Sequence, residues 1–210
     1  MTDANVAGNT YDKYGSTNPI ERRMMDGFFA ALDACLDGLT PRVVVEVGAG
    51  EGHVTGRLTE RFPDADVIGL DLPDESLTEH WREAGVPMFY GDATRLPFTD
   101  GAVDLVVCLE VLEHVPGPER ALAELARVCG ATAVMSVPRE PIWRAGNMAR
   151  GRYLRDLGNT PGHLNHWSAR SFERFVGSRF TIERATRPLP WTMLRARPRC
   201  TTPPLPPVRE

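Results

Sequence analysis

Lysine is nearly missing from this 210-residue chain: Lys13 is the single one, so arginine supplies almost all of the 24 Lys+Arg charges. Cysteine is scarce and scattered. Cys35, Cys108, Cys129 and Cys200 form no C-x-x-C pair and no metal-type spacing, which excludes a zinc ribbon or a disulfide scaffold. Cys35 and Cys108 stand in apolar runs and read as buried, reduced thiols. Long apolar runs are missing too. The longest, Val103 to Leu109, is interrupted by Asp104, far short of the roughly 18–20 residues of a membrane-spanning helix. Met1-Thr2-Asp3-Ala4-Asn5 has neither a basic stretch nor an apolar core, so no secretory signal is expected and the location reads as cytoplasmic. No internal repeat is visible, which excludes a solenoid. What is present, 42% hydrophobic and 25% charged residues, is ordinary globular composition for one domain.

The charge is unevenly placed. Residues 1–137 carry 10 Lys+Arg against 23 Asp+Glu, a net −13, whereas residues 138–210 carry 14 against 5, a net +9. The whole-chain value of −4 hides an acidic body and a basic last third.

Along the chain, residues 1–17 read as a flexible leader. Ile20, Met24, Phe28, Leu32 and Leu36 then recur every four residues, a helical stripe. Pro19 suits its first turn, and Pro41 ends the element. Val43 to Val47 is a short β-branched run typical of a buried parallel strand. A glycine-rich turn and a helix from His53 to Phe62 follow. Val67–Leu70, Val86–Tyr90, Val103–Leu109 and Ala131–Val137 read as further strands. Asp74–Ala84 and Pro118–Val128 read as the helices between them. Strands alternating with helices predict βαβ units in an α/β, doubly wound and mostly parallel sheet. A single domain is expected over residues 18–197. It includes an irregular Arg-rich segment at about 139–167, a helix at Ser168–Val176 and two strand-like runs, Phe180–Ala185 and Pro190–Leu194. Residues 198–210, with Pro203-Pro204-Leu205-Pro206-Pro207, read as a disordered tail.

The first strand runs into Glu46-x-Gly48-x-Gly50-x-Gly52. Glycines at a strand-to-helix turn let backbone approach a ligand at the carboxyl edge of the sheet. The dinucleotide fingerprint needs its third glycine one residue later, where His53 stands. Glu46 and Glu51 would also oppose a pyrophosphate. Asp71 closes the second strand, Asp92 follows the third and Glu110 the fourth, so acids gather at one rim.

The runs Val43–Gly52, Gly69-Leu70-Asp71, Gly91-Asp92-Ala93-Thr94-Arg95-Leu96-Pro97-Phe98 and Asp104–Pro116 together resemble the class I S-adenosylmethionine-dependent methyltransferases. The segment Cys108 to Pro116 is most similar to the small-molecule enzymes of the ubiquinone-biosynthesis O-methyltransferase group. The resemblance implies a Rossmann-like, seven-stranded sheet with helices on both faces and the last strand antiparallel. It also implies S-adenosylmethionine as cofactor. Gly48 and Gly50 would pass beneath its methionine moiety, with Glu46 toward the ammonium group and Leu109 lining the same side. Asp71 would take the ribose diol, Leu72 would pack on adenine, and Asp92 with the Ala93 amide would bind the adenine edge. An acidic rim suits a ligand that is cationic at sulfur and ammonium.

An activated sulfonium methyl needs mainly positioning and exclusion of water. A hydroxyl acceptor benefits from a general base. His114 is the first candidate, with anchoring of the following helix as its other reading. His166 and His163 are the second, with a structural turn as theirs. Glu110-x-x-Glu113-His114 also resembles the segment proposed to hold Mg²⁺ in quinone-pathway enzymes. The trio occurs in relatives without a metal, and the expectation here is no metal. In the Arg-rich segment Ile142, Trp143, Met148, Tyr153 and Leu154 alternate with arginines, and Gly146 and Gly151 argue for a movable lid rather than a rigid helix. It could clamp an anionic, aromatic or lipid-linked small molecule, lie on a membrane surface, or be a solvated arginine face. A cofactor-binding module without transfer and an RNA-modifying enzyme are the alternatives to a small-molecule O-methyltransferase. Asn/Asp-Pro-Pro-aromatic after the fourth strand, usual for nucleic-acid base N-methylation, is absent, and a nucleic-acid partner is not expected. Replacing Asp71 by Ala removes a charge-assisted bond of about 1.5–3 kcal/mol. Calorimetry should then show S-adenosylmethionine binding weakened by about ten- to a hundredfold.

Overall fold

The computed structural model describes residues 18–199 apart from Val86 and Arg152. The leader 1–17, Cys200 and the Pro-rich run of the tail lie outside the described residues.

Strand β4 (Val103–Leu109) shows why the sheet lies between two layers. Leu105, Val107 and Leu109 enter one hydrophobic cluster, while Val103, Val106 and Cys108 enter another. A strand buried on both faces needs apolar side chains at nearly every position. Around it stand β1 (Val43–Val47), β2 (Asp66–Asp71), β3 (Met88–Tyr90), β5 (Cys129–Pro138), β6 (Phe180–Thr186) and β7 (Trp191–Pro198), in the order β3-β2-β1-β4-β5-β7-β6. β7 runs antiparallel to both β5 and β6, and the remaining pairs are parallel. This is the seven-stranded, mostly parallel sheet that was expected. The chain starts at β1, builds outward to β3 and returns to β4, so the strand order reverses between β1 and β4. A crevice outside the carboxyl ends of the strands at such a point is where ligands bind in doubly wound folds.

One face is covered by α1 (Pro19–Leu36) and α2 (His53–Arg61), through Phe28, Leu32, Leu36, Val54 and Leu58. The other is covered by α4 (Pro118–Val128) and α6 (Ala169–Gly177), through Leu122, Leu125, Val128, Phe172 and Val176. α3 (Glu75–Ala84) follows β2. The Asn18 side chain caps α1 by accepting from the Ile20 amide at 2.9 Å, and Pro19 occupies the first turn. Among the described residues no helix is long and apolar enough to cross a membrane.

The segment after β5 departs from expectation. A helix, α5 (Ile142–Ala149), runs straight through Gly146, although glycine opposes a rigid helix. A glycine costs a helix about 1 kcal/mol relative to alanine. Tertiary anchors outweigh that here. Buried Asn147 donates to Gly158 O at 2.9 Å and to Thr160 Oγ1 at 3.2 Å, while Trp143 Nε1 donates to Thr160 Oγ1 at 2.8 Å. A short 3-10 turn, Leu154–Asp156, comes next. α5 buries its Trp143–Asn147 side and leaves Ile142 and Met148 exposed. Asn147→Ala removes a buried side-chain anchor worth about 1–3 kcal/mol. Hydrogen exchange should speed up in α5 while α4 and β4 keep their protection.

Candidate active site

The glycine turn is shaped by what crowds it. Gly48, Gly50 and Gly52 all have left-handed backbone, with φ of 80°, 52° and 89°, and a β-carbon on Gly48 would run into the side chain of Val111. Gly48 N and Ala49 N both donate to Leu70 O, at 2.7 and 2.9 Å. Asp71 then accepts from Gly50 N at 2.6 Å and from Leu72 N at 2.7 Å. On the other side of the turn Trp81 Nε1 donates to Gly50 O at 2.7 Å. Gly50 is thus held through both its amide and its carbonyl. Trp81 had no recognisable motif in the sequence; it sits on α3, packed against Tyr90.

Glu46 lies beneath this turn, 3% exposed, and accepts from Thr55 Oγ1 at 2.5 Å. Burial pushes its carboxyl up to about 8, against the pull of the Thr55 bond, and the Asp71 charge adds to the rise. Asp71 is also raised, by burial first, with the Gly50 and Leu72 amides opposing. Next to it, Gly91 N donates to Asp71 O at 2.7 Å, which brings the Gly91–Thr94 turn to the same edge. There Asp92 accepts from Thr94 N at 2.7 Å, and Ala93 packs on the core. Leu72 is 44% exposed at the end of β2, and Leu109 is buried at the end of β4. Glu46, Gly48, Gly50, Asp71, Leu72, Asp92, Ala93 and Leu109 therefore all stand at the carboxyl ends of β1 to β4 or in the turns that follow.

Glu110 behaves differently from the other rim acids. Its backbone is left-handed, with φ of 60°, and it faces the start of β7. One oxygen accepts from Ser136 Oγ at 2.8 Å and the other from Trp191 Nε1 at 2.6 Å. Trp191 in turn packs against Phe28 and Trp143.

His114 and His163 come together, with ring centroids 4.8 Å apart and edge to face. His114 Nδ1 lies 3.0 Å from Gly162 O. A carbonyl can only accept, so Nδ1 carries a proton. His163 is buried and stacks on Trp143. His166 is exposed, and its Nε2 bonds Asn159 Oδ1 at 2.6 Å within its own segment.

Comparison with known proteins places the chain near one family and one fold. Residues 45–135 match the family described as "Methyltransferase domain". The chain resembles the class I S-adenosylmethionine-dependent methyltransferases. A malonyl-[acyl-carrier protein] O-methyltransferase of Xylella fastidiosa is 34% identical over 52% of this chain and 38% of the relative. A ubiquinone biosynthesis O-methyltransferase of Methylococcus capsulatus is 36% identical over 47% of this chain and 44% of the relative. The chain thus spans less than half the length of these two curated relatives. The magnesium protoporphyrin IX methyltransferase of Synechocystis, solved with bound S-adenosylhomocysteine, superposes with a TM-score of 0.65 at 20% identity, over 92% of this chain and 91% of that one. That likeness shows the fold alone.

The buried Glu46 generates a pH dependence whose sign is fixed. Its folded value of about 8 stands above the 4.5 of an ordinary glutamate, so the native state holds a proton that the unfolded chain releases. The stabilisation is fully present below about pH 4.5 and is lost as pH rises towards 8. Urea unfolding of the ligand-free protein at pH 5 and pH 8 should show this loss, and Glu46→Gln should flatten it.

Proposed function

We propose that the protein is an S-adenosylmethionine-dependent methyltransferase acting on a hydroxyl of a small molecule. The observation that carries this reading is the acidic glycine turn at the reversal of the strand order. Glu46 and Asp71 flank a turn in which three of five residues are glycine, Asp92 stands at the same sheet edge, and the run Glu46–His53 has no Lys or Arg. That combination disfavours a phosphate and fits a ligand carrying positive charge beside a ribose.

When bound, S-adenosylmethionine supplies an activated methyl group on a cationic sulfur. Asp71 would orient the ribose hydroxyls through lone pairs left over from the Gly50 and Leu72 amides. Glu46 would ionise beneath the methionine moiety, since a nearby cation opposes the burial that keeps it protonated. Asp92 and the Ala93 amide would hold the adenine edge. His114 Nε2 would accept the proton of the acceptor hydroxyl as the oxygen forms its bond to the methyl carbon and the carbon–sulfur bond breaks, its electron pair staying on sulfur. Trp143, Trp191 and Phe28 would exclude water from that side. The acceptor would enter beside α5, whose exposed Ile142 and Met148, with Leu154 and Leu157 beyond, suit an aromatic or lipid-linked molecule.

Calorimetry with S-adenosylmethionine and with NADH tests the cofactor, and labelled methyl transfer into a panel of phenols and an extract of the native host tests the reaction. The expected outcome is binding of S-adenosylmethionine alone at tens of micromolar or tighter, together with transfer to oxygen. His114→Ala should lower turnover by about 10²- to 10⁴-fold while cofactor affinity holds. Binding without transfer would indicate a cofactor-binding module, and preference for NADH would overturn the reading.

A further inference from the structure

Glu113, His114 and His163 form a cluster that the cofactor site does not use. Glu113 and His114 belong to the turn after β4, and His163 to the segment between α5 and α6. One donor atom of each lies within 4.8 Å of the others. Glu113 is 1% exposed and His163 8%. The geometry points to a binding site for a divalent transition metal of the zinc class, held by these three side chains.

Three features support the assignment. The two segments are stapled together beside the cluster. Leu164 N and Asn165 N both donate to Glu113 O, at 2.8 and 3.0 Å. The Asn165 amide also donates to Leu112 O at 3.0 Å and to Val115 O at 2.8 Å. With Nδ1 donating to the Gly162 carbonyl, Nε2 is the ring nitrogen that would ligate. An outer carbonyl on the second ring nitrogen is the usual companion of a metal-bound histidine. Finally, two imidazoles and one carboxylate suit Zn²⁺, Co²⁺ or Ni²⁺, whereas Mg²⁺ seeks oxygen ligands.

Glu110 is not part of the cluster: its oxygens face Ser136 and Trp191, and among the described residues the donor atoms that gather are those of Glu113, His114 and His163. Donors around a tetrahedral zinc stand roughly 3.3 Å apart, so the three atoms draw together by about 1.5 Å at most. Three protein ligands leave a fourth position open to water or to an acceptor oxygen, whose proton the ion would make easier to lose. The site stands on its own geometry; only this catalytic use rests on the methyltransferase reading. In the metal-loaded protein His114 Nε2 would be a ligand rather than the base, and a bound ion would supply the polarisation that favours the deprotonated acceptor.

The test uses the full chain stripped with a chelator. Calorimetry should show one Zn²⁺ per chain at micromolar or tighter affinity, not displaced by about 10 mM Mg²⁺. His163→Gln and Glu113→Gln should each weaken Zn²⁺ by about tenfold or more, as losses at metal centres do. His80→Ala, at an exposed histidine, should leave it unchanged. S-adenosylhomocysteine binding, measured on the same samples, reports folding and tests the cofactor reading separately. Should a variant fail to fold, X-ray absorption of the wild-type zinc complex decides, with two imidazoles expected around the ion. No stoichiometric Zn²⁺ at about 100 µM, full-strength binding by both Gln variants, or a shell without imidazole would overturn the assignment.

Discussion

The two oxygens of Asp71 hold the candidate site in shape. One accepts from Gly50 and the other from Leu72, so a single carboxylate ties the turn after β1 to the end of β2. Trp81 closes the same turn from α3 through Gly50 O. The turn cannot relax toward Val111, because Gly48 already lies too close to that side chain for a β-carbon. These constraints keep the glycine amides at the carboxyl edge, with Glu46 buried underneath. The strain is electrostatic as much as steric: two carboxylates share a poorly solvated corner, and the Asp71 charge adds to the cost of ionising Glu46. A cation is the natural relief for such a corner, and this is why a sulfonium cofactor fits it better than a nucleotide phosphate.

The other half of the site depends on the turn after β4. Its backbone carbonyls at Leu112, Glu113 and Val115 are all bonded from residues 164 and 165, about fifty positions later in the chain. Buried carbonyls need partners, and the Asn165 side chain satisfies two at once. The staple brings His163 against His114 and Trp143 against His163. Glu110, one turn earlier, faces Ser136 and Trp191 instead and links β4 to β5 and β7. Five residues of one short stretch therefore serve two separate purposes: a polar link across the sheet and a histidine cluster.

The uneven charge follows the same division. The acidic body contains the carboxylates around the glycine turn, while the basic last third contains the segment between α5 and α6. Many of its arginines are already engaged. Arg195 and Arg197 meet Glu183, Arg187 meets Glu173, and Arg144 stands near Glu140. Exposed pairs of this kind contribute little stability, roughly 0–1 kcal/mol each. Arg150 bonds both Glu21 and Asn147, which joins the start of α1 to the end of α5.

The sequence by itself determined the alternation of strands and helices, because the hydrophobic period is a local property. β1, β4 and α4 begin and end where their apolar runs predict. It also determined the glycine turn and the acids at the ends of β2 and β3, since each follows a strand at a readable spacing. Tertiary structure alone decided three things. α5 forms through Gly146 because Asn147 and Trp143 find partners at Gly158 and Thr160. Glu110 leaves the rim because Ser136 and Trp191 offer both its oxygens a donor. Glu113, His114 and His163 meet because Asn165 staples its segment to the turn after β4. Each outcome rests on a hydrogen bond between residues that spacing along the chain does not relate, and only the folded backbone brings those donors and acceptors within reach.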